Sequence, residues 1–296
     1  MRFKAIGFLA FGIFTYDPIY IAYKNLFYEV PDISNIYGRD SYAIITGATD
    51  GIGKGFCEAL AEKGMNIILI SRNQEKLDRV AKEISEKYGI KCITHAMDLS
   101  KAGNHDYIKL KKKTDVLDVS MLVNNVGKVS YSRTKELKYN EIEEIINLNS
   151  LSMMHLLRMY LPTFERRRVR SAVINLSSFL AVRPMPIVSL YSGTKAFNHY
   201  LTEGLSEEYG DCIDILSFQP ATVITNSTLN EKPSWRSCTV QQSVRGALLD
   251  LGRRRTTHGH WNHELLAWAI SWVPERIRLK YMSYSIDQTI KIRLQK

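Results

Sequence analysis

Cysteine is scarce in this chain: four residues in 296, Cys57, Cys92, Cys212 and Cys238, with no Cys-x-x-Cys pair among them. That spacing excludes a disulfide framework and the common zinc sites, and it fits reduced thiols facing a cytosolic-type compartment. Internal repeats and low-complexity linkers are missing too, so residues 39–270 read as a single domain. Charge is nearly absent near the N-terminus, where only Asp17 is charged between Lys4 and Lys24. No Ala-x-Ala type cleavage site follows that stretch, which argues against a removed signal peptide. What remains is ordinary for a globular protein, 45% hydrophobic and 24% charged, with ample material for a core.

Residues 1–38 therefore stand apart. Positions 5–14 form an unbroken apolar run, and nineteen residues of helix would cover about 28 Å, marginally enough for a bilayer core. Asp17-Pro18 interrupts it, and proline is expected to break or kink a helix there. Tyr16, Tyr20, Tyr23, Phe27 and Tyr28 supply aromatics suited to a membrane interface. The segment reads first as a membrane anchor or interfacial element; a hydrophobic arm docked on protein and a targeting sequence are the alternatives. At the other end charge is plentiful. From Arg253 onward there are nine Lys/Arg against three Asp/Glu, six of the net +10. Residues 271–296 read as a basic tail, either simply solvated or drawn to anionic lipid or an acidic substrate.

Between these ends, apolar runs at 42–46, 66–70, 92–96, 119–124, 172–176 and 213–218 alternate with helical patterns at 54–63, 74–88, 139–164 and 189–209. Such alternation implies an α/β fold, a Rossmann-like doubly wound parallel sheet covered on both faces. After the first strand comes Thr46-Gly-Ala-Thr-Asp-Gly-Ile-Gly53. Gly47, Gly51 and Gly53 allow a tight turn and let backbone N–H groups approach a pyrophosphate at a helix N-terminus. The second strand ends in Ser71-Arg72, without the carboxylate that would grip a ribose 2′-hydroxyl. Arg72 instead offers a fork of donors suited to a 2′-phosphate, which favours NADP(H) over NAD(H).

Tyr191 and Lys195 stand four apart in a helical run, so both project from one face. An ammonium beside a phenol is expected to lower the phenol pKa and make it a usable proton donor or acceptor near neutrality. By itself the pair is weak. Ser178, thirteen residues upstream at a strand end, can converge on the same point, and Ser177 is its neighbouring rival.

Taken together, 46–53, Asp98-Leu99, Asn124-Asn-Val-Gly127, Asn149, Ser178, Tyr191 with Lys195, and Gln219-Pro220 make the chain similar to the short-chain dehydrogenase/reductase family over residues 41–230. The strings TGATDGIGK, LISRNQEKL, LVNNVG and LYSGTK resemble more narrowly the branch holding 3-ketoacyl-CoA reductases and 17β-hydroxysteroid dehydrogenases. That branch has a hydrophobic N-terminal segment and sits in the endoplasmic reticulum membrane; the mitochondrial inner membrane is the alternative location. The resemblance implies a catalytic set of Asn149, Ser178, Tyr191 and Lys195. Asn149 would hold a water leading to Lys195, Ser178 would bond the substrate oxygen, and Tyr191 would pass the proton. The cofactor would lie on Gly47, Thr49, Asp50, Gly51, Ile52, Gly53, Ser71, Arg72, Asp98, Asn124, Tyr191, Lys195, Pro220, Val223 and Thr225. Ala221 stands where many members carry glycine, which leaves the loop conformation there open.

The expected activity is NADP(H)-dependent reduction of a hydrophobic ketone, steroid-like or 3-ketoacyl, in a pocket lined by loop 224–240. The rival is a subunit of this fold in a membrane assembly, holding nucleotide without turnover. The resemblance also implies that a homodimer, or a larger membrane assembly, would pair through the helices at 139–164 and 189–209. No metal is expected at His258, His260 and His263, which lie in a glycine-containing turn without a carboxylate pattern. Nor is nucleic acid expected at the basic clusters 111–113, 166–168 and 253–255, which lack interleaved aromatics. The apolar stretch from Trp261 to Val273 is open to three readings: pocket cover, partner contact or membrane contact.

Overall fold

A computed structural model describes residues 2–183, 185–225, 234–280 and 284, with side chains of the first helix from residue 14 onward. In chain order the elements are α1 (Arg2–Phe27), α2 (Ile33–Tyr37), β1 (Tyr42–Thr46), α3 (Gly51–Glu62), β2 (Asn66–Ser71), α4 (Gln74–Tyr88), β3 (Cys92–Ala96), α5 (Asn104–Thr114) and β4 (Val119–Asn124). Then come α6 (Tyr139–Ile146), a π turn (Asn147–Leu151), α7 (Ser152–Glu165), β5 (Ser171–Leu176), α8 (Ser189–Tyr209) and β6 (Ile213–Phe218). The chain continues through β7 (Thr222–Ile224), β8 (Ser237–Thr239), α9 (Val240–Asp250), β9 (Thr256–Thr257) and α10 (Trp261–Ser271).

Seven strands form one parallel sheet in the order β3-β2-β1-β4-β5-β6-β9, and β7 pairs with β8 alongside. The strand run is Val/Ile/Leu-rich because both faces are covered. Ile45, Ile67 and Leu69 face a core built with Phe56, Leu60, Leu77, Val80 and Val244 of α3, α4 and α9. Ile44, Ile68 and Ile70 face the other way, onto Tyr107, Leu110, Leu156, Leu157, Tyr160 and Leu205 of α5, α7 and α8. Helix α4 shows why these elements form where they do. Asn73 caps it by accepting the Lys76 N–H at 2.8 Å, Gly89 ends it at φ +68, and Leu77, Val80, Ala81 and Ile84 bury one face. Strand order reverses between β1 and β4, which opens a crevice at their carboxyl ends, where ligands bind in such sheets.

Some elements depart from the sequence reading. The helix expected from 54 starts at Gly51, because the Asp50 carboxylate caps it by accepting the Gly51 N–H at 2.7 Å. The long helix at 139–164 is split by the π turn around Asn149. Helix α5 has a charged sequence that hides its apolar stripe of Tyr107 and Leu110, and β9 is too short to show a pattern. Helix α1 runs through Pro18 instead of ending there. Proline removes one backbone hydrogen bond, but packing holds the later turns. The Phe14 ring lies 4.8 Å and 5.0 Å from the rings of Trp268 and Trp272 on or beside α10, and Ile21 is buried. This half of α1 is thus an arm docked on the domain. Among the described residues no helix is long and apolar enough to cross a membrane. Of loop 224–240, residues 226–233 lie outside the described residues, as does the tail beyond 280 apart from Tyr284.

Candidate active site

The glycine turn sits at the mouth of the β1/β4 crevice. Gly47 holds φ +65 and Gly51 φ +52, the left-handed region where glycine is strain-free. Gly53 is needed for closeness instead: a Cβ there would stand 2.2 Å from the Gly47 carbonyl oxygen. Asn125, just past β4, ties the turn down. Its Nδ2 donates to the Thr46 carbonyl at 2.8 Å, while Thr46 Oγ1 accepts the N–H groups of Asn125 and Val126 at 2.9 Å and 3.1 Å. Sequence reasoning placed Asn125 in a motif without giving it this work, because the contact joins positions 79 apart in the chain.

Other expected cofactor residues gather round the same turn. Thr49 Oγ1 and Ser71 Oγ lie 3.1 Å apart, joining the glycine loop to the end of β2. Arg72 is exposed beside them, and Ile52 is partly buried on the first turn of α3. Burial alone would raise the Asp98 carboxyl, but bonds from the Ser100 hydroxyl and N–H, with Lys101 and Arg72 nearby, hold it below the usual range. Asn124 is buried at the end of β4 and donates to Asn175 Oδ1 at 2.8 Å. Thr225 reaches over the turn from the far side, its methyl 3.2 Å from where a Cβ on Gly51 would be. Pro220 accepts the Phe179 N–H at 3.1 Å, and Val223 is buried in β7. Contacts thus join Thr49 to Ser71, Arg72 to Asp98 and Thr225 to Gly51 around the turn.

Deeper in the crevice stand Ser178, Tyr191, Lys195 and Asn149. The two candidate serines separate cleanly. Ser177 Oγ donates to the Lys195 carbonyl at 2.7 Å, whereas the Ser178 hydroxyl accepts the Leu180 N–H at 3.1 Å and is close enough to the Tyr191 phenol to pull its pKa down. Lys195 Nζ donates to the Leu176 carbonyl at 2.7 Å and lies 5.8 Å from the centre of the Tyr191 ring. Asn149 is buried in the π turn, a distortion frequent at functional sites. Its Oδ1 accepts the Lys128 N–H at 2.8 Å, and its carbonyl accepts Asn198 Nδ2 at 2.8 Å. Gly127 keeps the gap between them open, since a Cβ there would meet Lys195 Nζ at 3.3 Å and Asn149 Oδ1 at 3.4 Å.

The electrostatics correct one expectation. The Tyr191 phenol is raised, not lowered: desolvation pushes it up, the Ser178 hydrogen bond pulls it down, and Tyr131 adds to the rise. Lys195 does not offset that rise, because its ammonium is itself desolvated and pushed down to about 7. A lysine that is half neutral near pH 7, aimed at a backbone carbonyl, offers the phenol little field.

Three groups that sequence reasoning did not assign bound the site. Arg183 is buried, stacks on the Phe179 ring 4.3 Å away and donates to the Ala267 carbonyl at 3.1 Å, fastening the Ser178 loop to α10. His258 and His263 take up hydrogen bonds with the chain: His258 Nδ1 with the Gln219 carbonyl at 2.8 Å, and His263 Nδ1 with the Ala221 N–H at 3.3 Å. Desolvation pushes both imidazoles down to about 4, so both stay neutral near pH 7. Their spacing was visible in sequence; their partners were not.

The model of the short chain dehydrogenase family matches residues 41–235. The very-long-chain 3-oxoacyl-CoA reductase of Bos taurus is 35% identical over 261 residues, 86% of this chain and 82% of that protein. The 17-beta-hydroxysteroid dehydrogenase type 3 of Danio rerio is 36% identical over 272 residues, 90% of this chain and 87% of that one. Among solved structures, a 7beta-hydroxysteroid dehydrogenase superposes with TM-score 0.76 at 27% identity, covering 84% of this chain and 98% of its own. A short-chain dehydrogenase from Sphingobium yanoikuyae in complex with NADPH gives TM-score 0.67 at 26% identity, covering 73% and 86%. By fold and sequence alike, this chain belongs to the short-chain dehydrogenase family of oxidoreductases.

Proposed function

We propose that the chain is an NADP(H)-dependent carbonyl reductase/alcohol dehydrogenase acting on a hydrophobic ketone of the steroid or 3-oxoacyl type. The observation that carries this reading is the convergence of three groups: the Ser178 hydroxyl acts on the Tyr191 phenol, and Lys195 Nζ lies 5.8 Å from the phenol ring centre. When bound, the nicotinamide supplies hydride. The chain's own residues would do the rest. Reduction builds negative charge on the carbonyl oxygen, so two hydroxyls aimed at that point stabilise it. A raised phenol remains protonated at neutral pH, which suits Tyr191 to donating the proton in the reductive direction. Anionic phosphates held over Gly47–Gly53 would favour the charged form of Lys195, restoring the field the phenol otherwise lacks. Arg72, with no acid at the end of β2, would receive a 2′-phosphate. Names of relatives support the substrate class: a 3-oxoacyl-CoA reductase and a 17-beta-hydroxysteroid dehydrogenase.

Association with a membrane, at the endoplasmic reticulum or alternatively the mitochondrial inner membrane, is part of the proposal. It rests on the apolar run of α1 and the family resemblance. The second reading, an accessory subunit of this fold, draws on one observation: Trp261, Leu265 and Trp272 on or beside α10 and Phe14, Tyr16 and Ile19 of α1 are exposed, with the Phe14 and Trp272 rings 5.0 Å apart. Turnover decides between the two. NADPH absorbance should fall with ketosteroids or 3-oxoacyl-CoAs, and Tyr191→Phe should lower kcat by at least about 100-fold while leaving NADPH bound. Undiminished turnover in Tyr191→Phe would remove the phenol from the reaction, and nucleotide binding without any turnover would favour the subunit.

A further inference from the structure

A lysine from the N-terminal arm lies deep in the domain. Lys24 is 1% exposed, and its Nζ donates to Asp250 Oδ2 at 2.9 Å and to Glu264 Oε1 at 2.7 Å. These carboxylates, on α9 and α10, are 0% and 4% exposed. Arg254 Nη1 stands 3.4 Å from Glu264 Oε1, so two cations balance two anions. The Arg254 guanidinium also lies over the Tyr20 ring, 5.3 Å from its centre.

The cluster continues directly into the loop after β6. The Thr257 hydroxyl bonds Asp250 Oδ2 and lies 3.2 Å from Glu264 Oε1. The Thr257 carbonyl accepts the Gln219 N–H at 2.8 Å, and the adjoining His258 holds the Gln219 carbonyl. On the other side His263, next to Glu264 on the first turn of α10, receives the Ala221 N–H. Residues 219–221 are thus gripped from both sides by immediate neighbours of the ion-pair groups. The same loop bonds the residue after Ser178 through Pro220 and reaches the glycine turn through Thr225.

We propose that Lys24 is a positioning residue for the loop 219–225 and, through it, for the nicotinamide nucleotide. The inference rests on the proposed cofactor role of that loop. Its physical basis is charge balance: without Lys24, two buried carboxylates face one guanidinium, and the excess charge is relieved by a proton taken up on Asp250, whose carboxyl burial already raises, or by water entering and the groups moving apart. Each response alters the bonds that Asp250 and Glu264 make to Thr257, and so disturbs the groups that set the loop. The N-terminal arm then serves the reaction itself and not membrane contact alone.

The test compares NADPH dissociation constants, from fluorescence titration, and melting temperatures for the full-length parent, Lys24→Met and Lys24→Met/Asp250→Asn. Lys24→Met should raise the NADPH Kd roughly tenfold, and its KM for NADPH more than it lowers kcat. The double variant, which restores charge balance with an uncharged isostere, should recover the parent affinity to within about threefold. Parent-like affinity in Lys24→Met would overturn the proposal. So would a double variant whose melting temperature recovers while its affinity does not, since Lys24 would then be structural only. Should Lys24→Met fail to fold, Lys24→Gln takes its place under the same criteria. A parent chain that binds no NADPH overturns the cofactor reading and this inference together, whereas parent binding with an unaffected Lys24 variant removes the positioning role alone.

Discussion

Gly53→Ala isolates the glycine turn from everything else in the site. One methyl group is added, and no backbone strain is introduced, because Gly53 is not among the positive-φ residues. The new Cβ would stand 2.2 Å from the Gly47 carbonyl oxygen and 2.5 Å from Asn125 Nδ2. Neither neighbour can yield freely: Gly47 is fixed at φ +65, and Asn125 is held by its bond to the Thr46 carbonyl. Overpacking of this kind costs about 1–3 kcal/mol, and breaking the Asn125 bond adds about 1 kcal/mol. A total of about 2–4 kcal/mol corresponds to a loss of roughly 30-fold to 1,000-fold in whichever equilibrium absorbs it. If the turn keeps its shape, the protein loses stability; if it opens, NADPH affinity falls. Denaturant unfolding and NADPH titration together capture both. Gly103→Ala is the control, since nothing lies within 4 Å of its would-be Cβ and its φ is −98. A Gly53→Ala chain unchanged in both measurements would refute the close approach of α3 to the turn, and with it the reasoning that places a pyrophosphate there.

Lys195 gives a pH signature in the nucleotide-free protein. Desolvation lowers its ammonium from 10.5 to about 7, so between those values the folded chain holds fewer protons than the unfolded one and stability rises with pH. Lys195→Met should remove that rise: unfolding free energies of parent and variant should diverge across about pH 7 to 10.5 and run parallel below, and curves parallel throughout would show that the ammonium is not desolvated. Arg72→Ala should weaken NADPH about 10- to 100-fold, the worth of charge-assisted bonds to a phosphate, with NADH little changed; equal losses for the two nucleotides would end the assignment of Arg72 to the 2′-phosphate.

Sequence alone went far with elements whose pattern is local. The apolar runs of β1 to β6 and the capped stripe of α4 declare themselves within a dozen residues, because burial on both faces and helical periodicity are written into neighbouring positions. The glycine turn and the Tyr191–Lys195 spacing were legible for the same reason. What only the tertiary structure decided are contacts between distant positions. Ser177 and Ser178 are adjacent rivals in sequence, and they separate because the Ser177 hydroxyl donates to the Lys195 carbonyl while the Ser178 hydroxyl acts on the phenol. The direction of the Tyr191 shift depended on how deeply the phenol itself is buried, which no spacing reveals. The histidines near 260 and Lys24 in a largely apolar helix had no visible purpose until the chain brought them to Gln219, Ala221, Asp250 and Glu264. Periodicity encodes which face of an element is buried; it does not encode what that face meets, because partners hundreds of residues apart are chosen by packing of the whole sheet and its helices.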